Sequence, residues 1–416
     1  MDFGMIEDLL KDDQTVPTDI KVVGIGGAGG NAVNRMIASG LKKVTFVSLN
    51  TDVQALQKSN AQIRMPIGKE LTGGLGAGGV PEVGEKAAVE SKDEIKDLLK
   101  GTDMVFITAG MGGGTGTGAA PVVAEIAKSE NVLTVAVVTT PFAFEGRKKF
   151  ELAQQGIAKL RENVDTLILI PNQYLLKIVE NNTPIKQAFL MADDVLRQGV
   201  QGISELITEP GVINIDFADV RTVMKGKGDA LMGIGIGQGE TRAIDAARQA
   251  VCNPLLENTS IRGAKSVLVN LAGGEGMTLQ EYEDVVELIT TNCDPDALII
   301  TGQSYNPDLG DGIKVTVVAT GFVNDQTPSV KPAPAEQKRT FGPGYAERVQ
   351  PQAPETQPQN TQSVAAQQKP AESFIKINRW QDLQNQMAKH GNSNQDTTIP
   401  AVLRYKQSGE FDDERR

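Results

Sequence analysis

The stretch "AGMGGGTGTGAAP" (109–121) decides which fold this chain adopts. Its first two residues end "MVFITAG" (104–110), an apolar run with the length of a buried strand. The stretch then leads into a predicted helix. Glycines in series free the backbone from Cβ constraints, so successive N–H groups can converge on an oxyanion. A helix beginning near Thr117 adds the positive end of its dipole. The stretch therefore predicts a phosphate-binding turn, with the hydroxyls of Thr115 and Thr117 available to a phosphate or to a metal-bound water.

Two other glycine-rich loops, "GIGGAGGN" (24–31) and "TGGLGAGGVPEVG" (72–84), support this interpretation. The first follows a predicted strand and satisfies the G-x-G-x-x-G pattern of dinucleotide-binding proteins. An NAD-dependent cytosolic oxidoreductase is therefore an alternative, although Asp52 lies late in the chain for a ribose contact. The sequence contains no G-x-x-x-x-G-K-[ST] motif, so backbone dipoles and Mg²⁺ would balance the phosphate charge.

Short β-branched runs alternate with longer amphipathic segments between Thr18 and Phe322, which is typical of an α/β protein. The first part is predicted to hold strands at 20–26, 44–50, 104–110, 133–140 and 166–172, with helices near 31–38, 117–129 and 145–163. A long helix near 185–207 precedes strands near 229–236, 265–272, 296–303 and 312–321 and helices near 240–251 and 278–291. The predicted fold class is α/β, with a Rossmann-like parallel-sheet domain, a long central helix and a second α+β domain.

Composition excludes several classes of function. The net charge of −11 over 416 residues argues against nucleic acid or anionic lipid as the main partner, because both require a basic surface. His390 is the only histidine, which excludes Ser-His-Asp catalysis and histidine-based metal sites. The N-terminus lacks the features of a signal peptide, and no apolar run has the length of a transmembrane helix. We therefore expect a cytoplasmic protein with no direct membrane insertion.

From about Asn324 the chain is rich in Pro, Gln, Ala and Thr and poor in aliphatic residues, which predicts a disordered C-terminal tail. Two less polar islands in this tail, 374–387 and 398–405, have the character of docking peptides. The expected domains are a flexible N-terminal segment (1–17), a nucleotide-binding domain (18–184), a central helix (185–208), an α+β domain (209–323), a linker (324–396) and a partner-binding peptide (397–416).

The loop "GVINIDFADVRTVM" (211–224) carries Asn214, Asp216 and Asp219 just before a predicted helix. Spacing alone favours a capping role, because Asp is a common N-cap residue and acids in a first turn suit the helix dipole. The same side chains are also suited to hydrolysis, but the glycine-rich loops lie far upstream in the sequence. The residues by themselves leave both interpretations open.

The segment "GGGTGTG" (112–118) meets the GGGTG[ST]G signature of the tubulin/FtsZ superfamily of GTPases, which the chain closely resembles. The motifs "GGAGGNAVNRM", "LNTDVQAL", "PFAFEGRKK", "DDVLRQGVQGI" and "NIDFADVRTVM" follow in the order of the bacterial cell-division branch, between residues 20 and 322, and "IPAVLR" returns in the tail. The resemblance implies a GTPase that polymerises head to tail and forms the cytokinetic ring scaffold at mid-cell. It also implies GTP and GDP as ligands, together with Mg²⁺.

The resemblance implies roles for individual residues at positions that match family motifs. The implied phosphate contacts are Gly26, Gly27, Ala77, Gly78, Gly113, Gly114 and Thr115. Glu145 matches the ribose contact, and Asn172 and Asp193 match the guanine readers, with Asn31 nearby. A carboxylate suits guanine because it accepts from both N1–H and the 2-amino group, whereas adenine has no such pair of donors. Asp194 is the alternative reader, although the family pattern favours Asp193.

Four positions depart from the family pattern. Lys149 stands where arginine is common and lacks the planar fork of that residue. Thr140 replaces a basic residue, Gln173 replaces an aspartate and Val402 replaces a phenylalanine. We expect these changes to alter the affinity for nucleotide and for the partner of the tail, without changing the class of function.

In the family, residues matching Asn214, Asp216 and Asp219 complete the nucleotide site of the neighbouring subunit. A helix of about 22 residues spans roughly 33 Å, so it carries this loop away from the phosphate-binding turns of its own chain. We expect Asp216 and Asp219 to position and polarise the attacking water, and Asn214 to orient it, across a head-to-tail contact. A nucleotide-binding scaffold that polymerises without significant catalysis is a third possibility. The peptide 398–405 is expected to bind a membrane-anchored division adaptor.

Overall fold

The computed structural model describes residues 18–176, 183–208, 211–252, 261 and 263–322. All of them belong to the first of two compact units, 1–335. The expected N-terminal segment, linker and partner-binding peptide lie outside the described residues, as do the islands 374–387 and 398–405, Val402, and positions 209–210 just after the central helix.

The strands are β1 (Ile20–Ile25), β2 (Thr45–Asn50), β3 (Ile63–Pro66), β4 (Met104–Gly110), β5 (Leu133–Thr140), β6 (Thr166–Pro171), β7 (Gly228–Gly237), β8 (Ser266–Gly273), β9 (Leu298–Tyr305) and β10 (Ile313–Thr320). The helices are α1 (Gly26–Ala38), α2 (Val53–Gln57), α3 (Lys69–Thr72), α4 (Pro81–Glu90), α5 (Lys92–Leu99), α6 (Thr115–Ser129), α7 (Arg147–Asn163), α8 (Asn172–Leu175), α9 (Ile185–Thr208), α10 (Phe217–Met224), α11 (Arg242–Val251) and α12 (Leu279–Thr291). Within the described residues the strands form one sheet in the order β3-β2-β1-β4-β5-β6-β7-β10-β8-β9.

The first six strands of the sheet pair in parallel and are covered on both faces. Neighbouring residues of one strand enter different cores, because successive side chains of a strand point to opposite faces. Val22 joins the core formed with α1, α9 and α10, whereas Val23 joins the core formed with α4, α5, α6 and α7. The predicted Rossmann-like parallel sheet is confirmed, because runs buried on both faces belong in such a sheet.

The remaining strands form a mixed sheet. β10 lies antiparallel to both β7 and β8, while β8 and β9 are parallel. The two parts of the sheet meet where β6 and β7 pair in parallel over three residues, from Thr166–Gly228 to Ile168–Ala230. The four strands and two helices predicted after the central helix are all present, within a few residues of the expected bounds.

The central helix α9 packs against both parts of the sheet. A Cβ atom on Gly199 would lie 2.9 Å from a methyl carbon of Val137 on β5, and one on Gly202 would lie 2.7 Å from the methyl carbon of Thr316 on β10. Glycine is therefore required at these two positions, which lie three residues apart on one face of the helix. At 24 residues the helix is about 35 Å long, so its two ends lie in different parts of the molecule.

Two helices begin earlier than expected, and some elements were missed. α1 starts at Gly26 and not near Asn31, and α6 starts at Thr115 and not at Thr117. Glycine disfavours helix in isolation, but a Cβ on Gly29 would lie 2.4 Å from the carbonyl oxygen of Thr108, so close packing of the first turn demands it. β3, α4 and α5 were among the elements that were not predicted. β3 is a short edge strand, and its residues are partly exposed.

Candidate active site

The amino ends of α1 and α6 meet at the carboxyl edge of the parallel strands. α1 follows β1 directly, and α6 follows β4 after a short turn. Neither helix has a side-chain cap, and neither has an acidic residue in its first turn. The first N–H groups of an α-helix have no partner within the helix, and with the positive end of the dipole they suit a bound anion.

The glycines of the three loops divide into two groups. A Cβ atom on Gly27, Gly78 or Gly113 would have no heavy atom within 4 Å, so these positions border open space. Gly26 and Gly114 are enclosed instead. A Cβ on Gly26 would lie 3.0 Å from the backbone nitrogen of Gly116, and one on Gly114 would lie 2.8 Å from the Cβ of Ala77. The loops therefore pack against one another and leave a glycine-lined opening, which fits the phosphates of a nucleotide.

Gly113→Ala tests this opening. We expect the variant to fold normally, because no atom obstructs the added methyl group and the backbone does not have a positive φ. The methyl group would occupy space meant for phosphate oxygens, so GTP binding measured by calorimetry should weaken by about tenfold or more. Gly114→Ala should behave differently, since its methyl group would collide with Ala77 and should lower the unfolding temperature. Unchanged GTP binding by Gly113→Ala would contradict the assignment.

The two threonines in this turn differ in exposure. Thr115 is half-buried, and its Oγ1 lies 2.7 Å from Oγ1 of Thr51 at the end of β2. Thr117 is 2% exposed, and its hydroxyl accepts a 2.8 Å hydrogen bond from the N–H of Gly112. The hydroxyl of Thr117 therefore closes the turn from inside, and Thr115 is the more accessible of the two.

Glu145 is held in position by its neighbours. Its Oε1 accepts from the backbone N–H of Phe142 at 3.0 Å, and its Oε2 lies 3.2 Å from Nζ of Lys149. The side chain of Gln173 supports the same turn by accepting from the N–H of Ala143 at 3.0 Å. Lys149 thus pairs with the expected ribose ligand, and Gln173, one of the departures from the family pattern, has a structural partner.

The two expected guanine readers and the neighbouring Asn31 lie on three different elements. Asn31 is exposed on α1, Asn172 is the first residue of α8, and Asp193 lies on α9. Oδ1 of Asn172 is buried and accepts no hydrogen bond from any described residue. Buried polar atoms normally have a partner, so an unpaired acceptor at the end of β6 is what a missing ligand would leave.

Asp193 and Asp194 differ in how far their carboxylates are already engaged. Burial raises the pKa of Asp193 to about 6, although Arg35, 3.6 Å away, opposes the shift. Burial also raises the pKa of Asp194, but hydrogen bonds from Arg197 and Gln198 outweigh it and hold the pKa below its usual range. The carboxylate of Asp193 therefore has more unoccupied acceptor positions than that of Asp194, which supports Asp193 as the guanine reader.

One aromatic residue near the expected base readers was missed. Phe189 lies on α9, and its side chain is 40% exposed. It lies one turn before Asp193, and its ring meets that of Phe142 edge to face with centroids 5.3 Å apart. An exposed aromatic ring four residues from a base-reading acid is suited to stacking on a base, and the i, i+4 spacing was the signal available in the sequence.

The loop that carries Asn214, Asp216 and Asp219 (residues 214–219, the acidic loop) is attached to the second part of the sheet through the residues just before it. Ile213 forms an antiparallel bridge with Gln303 on β9, and a Cβ on Gly211 would lie 1.6 Å from the carbonyl oxygen of Gln303. Oδ1 of Asn214 accepts from the N–H of Gly211 at 2.7 Å. Asp216 caps α10 by accepting from the N–H of Asp219 at 2.8 Å. The capping interpretation is confirmed, and Asn214 and Asp216 remain exposed.

The structure does not bring these acids to the glycine-lined opening of the same chain. Asp193 lies 15 residues before the end of α9, a distance of about 22 Å along the helix axis, and the acidic loop begins only beyond that end. Asp52, the only acid near the end of β2, caps α2 by accepting from the N–H groups of Gln54 and Ala55. Its Oδ1 therefore serves as the cap of this helix.

Comparison with known proteins identifies this arrangement. The sequence matches the GTPase domain of the Tubulin/FtsZ family over residues 19–180 and the C-terminal domain of the FtsZ family over residues 228–323. A structure of an empty FtsZ dimer from M. jannaschii is 46% identical, with a TM-score of 0.73, over 76% of this chain and 92% of that chain. The chain belongs to the FtsZ family.

Membership in the FtsZ family establishes the class of chemistry. The chain is a GTPase that binds GTP and GDP, from a family of filament-forming, cytoskeletal proteins of cell division. The oxidoreductase alternative is not supported. CetZ1 of Haloferax volcanii, solved as a GDP-bound monomer, and CetZ2 of the same organism, solved as a GTPγS-bound protofilament, are each 20% identical, with TM-scores of 0.64 and 0.61. Each match covers 74% of this chain. It covers 95% of the CetZ1 chain and 94% of the CetZ2 chain, and both proteins share the fold.

Proposed function

We propose that this FtsZ-family chain polymerises head to tail, hydrolyses GTP at the interface between successive subunits and forms the cytokinetic ring scaffold at mid-cell in the cytoplasm. One observation carries the proposal. The acids suited to hydrolysis follow the carboxyl end of α9, while the expected base reader Asp193 lies in its amino-terminal half and Phe189, near its amino end, contacts Phe142 just beyond the carboxyl end of β5. The residues at one end of α9 alone do not make a complete hydrolytic site. Stacking two chains end to end would bring the acidic loop of one chain to the nucleotide-binding residues of the next.

Exposed apolar side chains occur at both halves of the proposed interface. Leu75, in the second glycine-rich loop, is 85% exposed, and Val212, next to the acidic loop, is 91% exposed. Exposed aliphatic side chains at functional loops favour burial against a partner. Because these surfaces differ from each other, their contact is heterologous and yields filaments and not closed dimers. The FtsZ of M. jannaschii was solved as a dimer, which agrees with self-association.

Asp216 and Asp219 would position and polarise the water that attacks the γ-phosphate of the adjoining subunit, and Asn214 would orient it. Phosphoryl transfer depends mainly on positioning and charge stabilisation, which carboxylates in a rigid loop can supply. No group of three Asp, Glu, His or Cys residues in the described parts of the chain is arranged to hold a metal. Mg²⁺ would therefore be held by phosphate oxygens and water, which suit it, with the hydroxyl of Thr115 beside them.

The tail would connect the filament to the membrane. No described helix has both the length and the apolar character needed to cross a bilayer. We infer that the peptide 398–405, which follows the α+β domain after a Pro- and Gln-rich segment, binds a membrane-anchored division adaptor. A synthetic peptide with this sequence should compete with the full chain for such an adaptor.

Hydrolysis is expected to require assembly. The rate of phosphate release per molecule should rise from near zero above a threshold protein concentration, because each nucleotide meets the acids only when a second chain binds. Phosphate release and light scattering, measured over the same concentration series, check this expectation. A rate per molecule that does not depend on concentration would contradict hydrolysis between subunits.

A mixing experiment separates assembly from shared catalysis. Asp216→Asn should bind GTP but hydrolyse it poorly, whereas Asp193→Ala should bind GTP poorly but still carry an intact acidic loop. Mixed in equal amounts, the two inactive variants would form some interfaces in which GTP bound to Asp216→Asn meets the intact acidic loop of Asp193→Ala. Recovery of phosphate release in the mixture supports the proposal, and no recovery despite mixed filaments would argue that each chain hydrolyses its own GTP.

A further inference from the structure

Thr51 lies between two of the glycine-rich loops and was not among the expected site residues. It follows β2 and is 1% exposed. Its hydroxyl oxygen lies 2.7 Å from that of Thr115, the first residue of α6. Its carbonyl oxygen accepts from the N–H of Gly76 at 3.1 Å and from the hydroxyl of Thr72 at 3.3 Å. This single buried residue therefore contacts both the phosphate-binding turn and the 72–76 segment.

The direction of the bond between the two hydroxyls has a chemical consequence. A threonine hydroxyl has one proton to donate and can accept through its lone pairs. When Thr51 donates to Thr115, the proton of Thr115 is left for a phosphate oxygen. The opposite direction would use that proton within the protein. A bound phosphate therefore selects the arrangement in which Thr51 is the donor, and hydrogen bonds in series strengthen one another.

The 72–76 segment is attached to the residues around Thr51 at several points. The N–H of Val53 donates to the carbonyl of Gly74 at 3.0 Å, and Asp52 forms an antiparallel bridge with Leu75. These contacts hold the backbone of Leu75 in place while its side chain remains 85% exposed. The position of this apolar side chain thus depends on the same short stretch that contacts the phosphate-binding turn.

We propose that Thr51 is a positioning residue that directs the hydroxyl of Thr115 toward bound phosphate and fixes the Leu75 segment at the assembly face, so that nucleotide binding and head-to-tail assembly are coupled through it. The assembly half of this inference rests on the proposed function. The nucleotide half depends only on the contact between the two hydroxyls.

The test uses the full chain and two substitutions at position 51. Thr51→Val keeps the shape and the backbone carbonyl but removes the hydroxyl, and Thr51→Ser keeps the hydroxyl. Thr51→Val should weaken GTP binding, measured below the assembly threshold, by about threefold to tenfold, the effect of one lost hydrogen bond. It should also raise the threshold concentration for assembly, and Thr51→Ser should restore both values to within about twofold of the unmodified chain.

Thr134→Val provides the matched control. Thr134 is fully buried near the amino end of β5, and its hydroxyl donates to the carbonyl of Val132 at 3.0 Å. This variant loses a comparable buried hydrogen bond away from the glycine-lined opening. It should lower the unfolding temperature as much as Thr51→Val does, yet leave GTP binding and the assembly threshold unchanged.

The outcomes separate this inference from the proposed function. GTP binding and an assembly threshold of Thr51→Val that equal those of the unmodified chain would overturn it, as would failure of Thr51→Ser to restore them. Equal losses in Thr51→Val and Thr134→Val would show that Thr51 acts only through stability and would also overturn it. If the unmodified chain hydrolyses GTP without a concentration threshold, the proposed function fails, and the effect on GTP binding below assembly still decides the role of Thr51.

Discussion

Asp216→Asn is expected to reduce GTP hydrolysis by the assembled protein on the order of 100-fold, the contribution of a positioned carboxylate acting on the attacking water. Asparagine is as good an N-cap residue as aspartate, so the variant keeps the hydrogen bond that Asp216 accepts from the N–H of Asp219. Only the negative charge is removed. Phosphate release should therefore fall while GTP binding, the assembly threshold and the unfolding temperature stay close to those of the unmodified chain.

A control separates the chemical role of Asp216 from its structural role. Thr278 caps α12 by accepting from the N–H of Glu281, away from the acidic loop. Thr278→Ala should cost about 1 kcal/mol of stability, the usual effect of a lost cap, without reducing hydrolysis per assembled subunit. A rate for Asp216→Asn equal to that of the unmodified chain would show that Asp216 serves only as a helix cap.

Asp193→Asn is expected to weaken GTP binding by on the order of 100-fold or more, because two hydrogen bonds from guanine to a charged acceptor are lost. An asparagine side chain presents an N–H donor beside its single acceptor, which matches the carbonyl that xanthine carries in place of the guanine amino group. The variant should therefore prefer xanthosine triphosphate. Competition between the two nucleotides, measured by calorimetry, checks the result.

Asp194→Asn is the control for this exchange of base preference. Its carboxylate is already engaged by Arg197 and Gln198. Loss of those bonds should lower the unfolding temperature without favouring xanthosine triphosphate. A change of preference in Asp194→Asn and not in Asp193→Asn would reverse the assignment of the two residues.

The raised pKa of Asp193 adds a dependence on pH. The carboxylate must be ionised to accept from guanine, and its pKa in the empty protein is about 6. GTP affinity should therefore fall by about tenfold for each pH unit below 6, whereas Asp193→Asn should lack this dependence. The same shift acts on stability in a defined direction. Because the folded chain holds the proton more tightly than the unfolded chain, the stability of the empty protein should decrease as pH rises from about 4 to about 6.

Much of the first part of the fold follows from local pattern. Runs such as "LTVAVVTT" are continuously apolar and β-branched, so they have few alternatives to a strand buried on both faces. The predicted β5 agrees residue for residue with the structure, and the central helix begins at the expected residue, Ile185. Glycine-rich helix starts were less predictable, because glycine opposes helix locally and only contact with neighbouring strands, as at Gly29, requires it there.

The sequence by itself determined the class of fold and, through the resemblance, the type of nucleotide, and it predicted the three phosphate-binding turns, because these depend on residue type and short-range order. Tertiary structure decided which side chains are free to act. The hydroxyl of Thr117 accepts from the N–H of Gly112, and the carboxylate of Asp194 accepts from Arg197 and Gln198. Thr51 contacts Thr115, 64 positions along the chain. The partners of a hydroxyl or carboxylate come from distant segments, and the spacing of residues along the chain does not encode them.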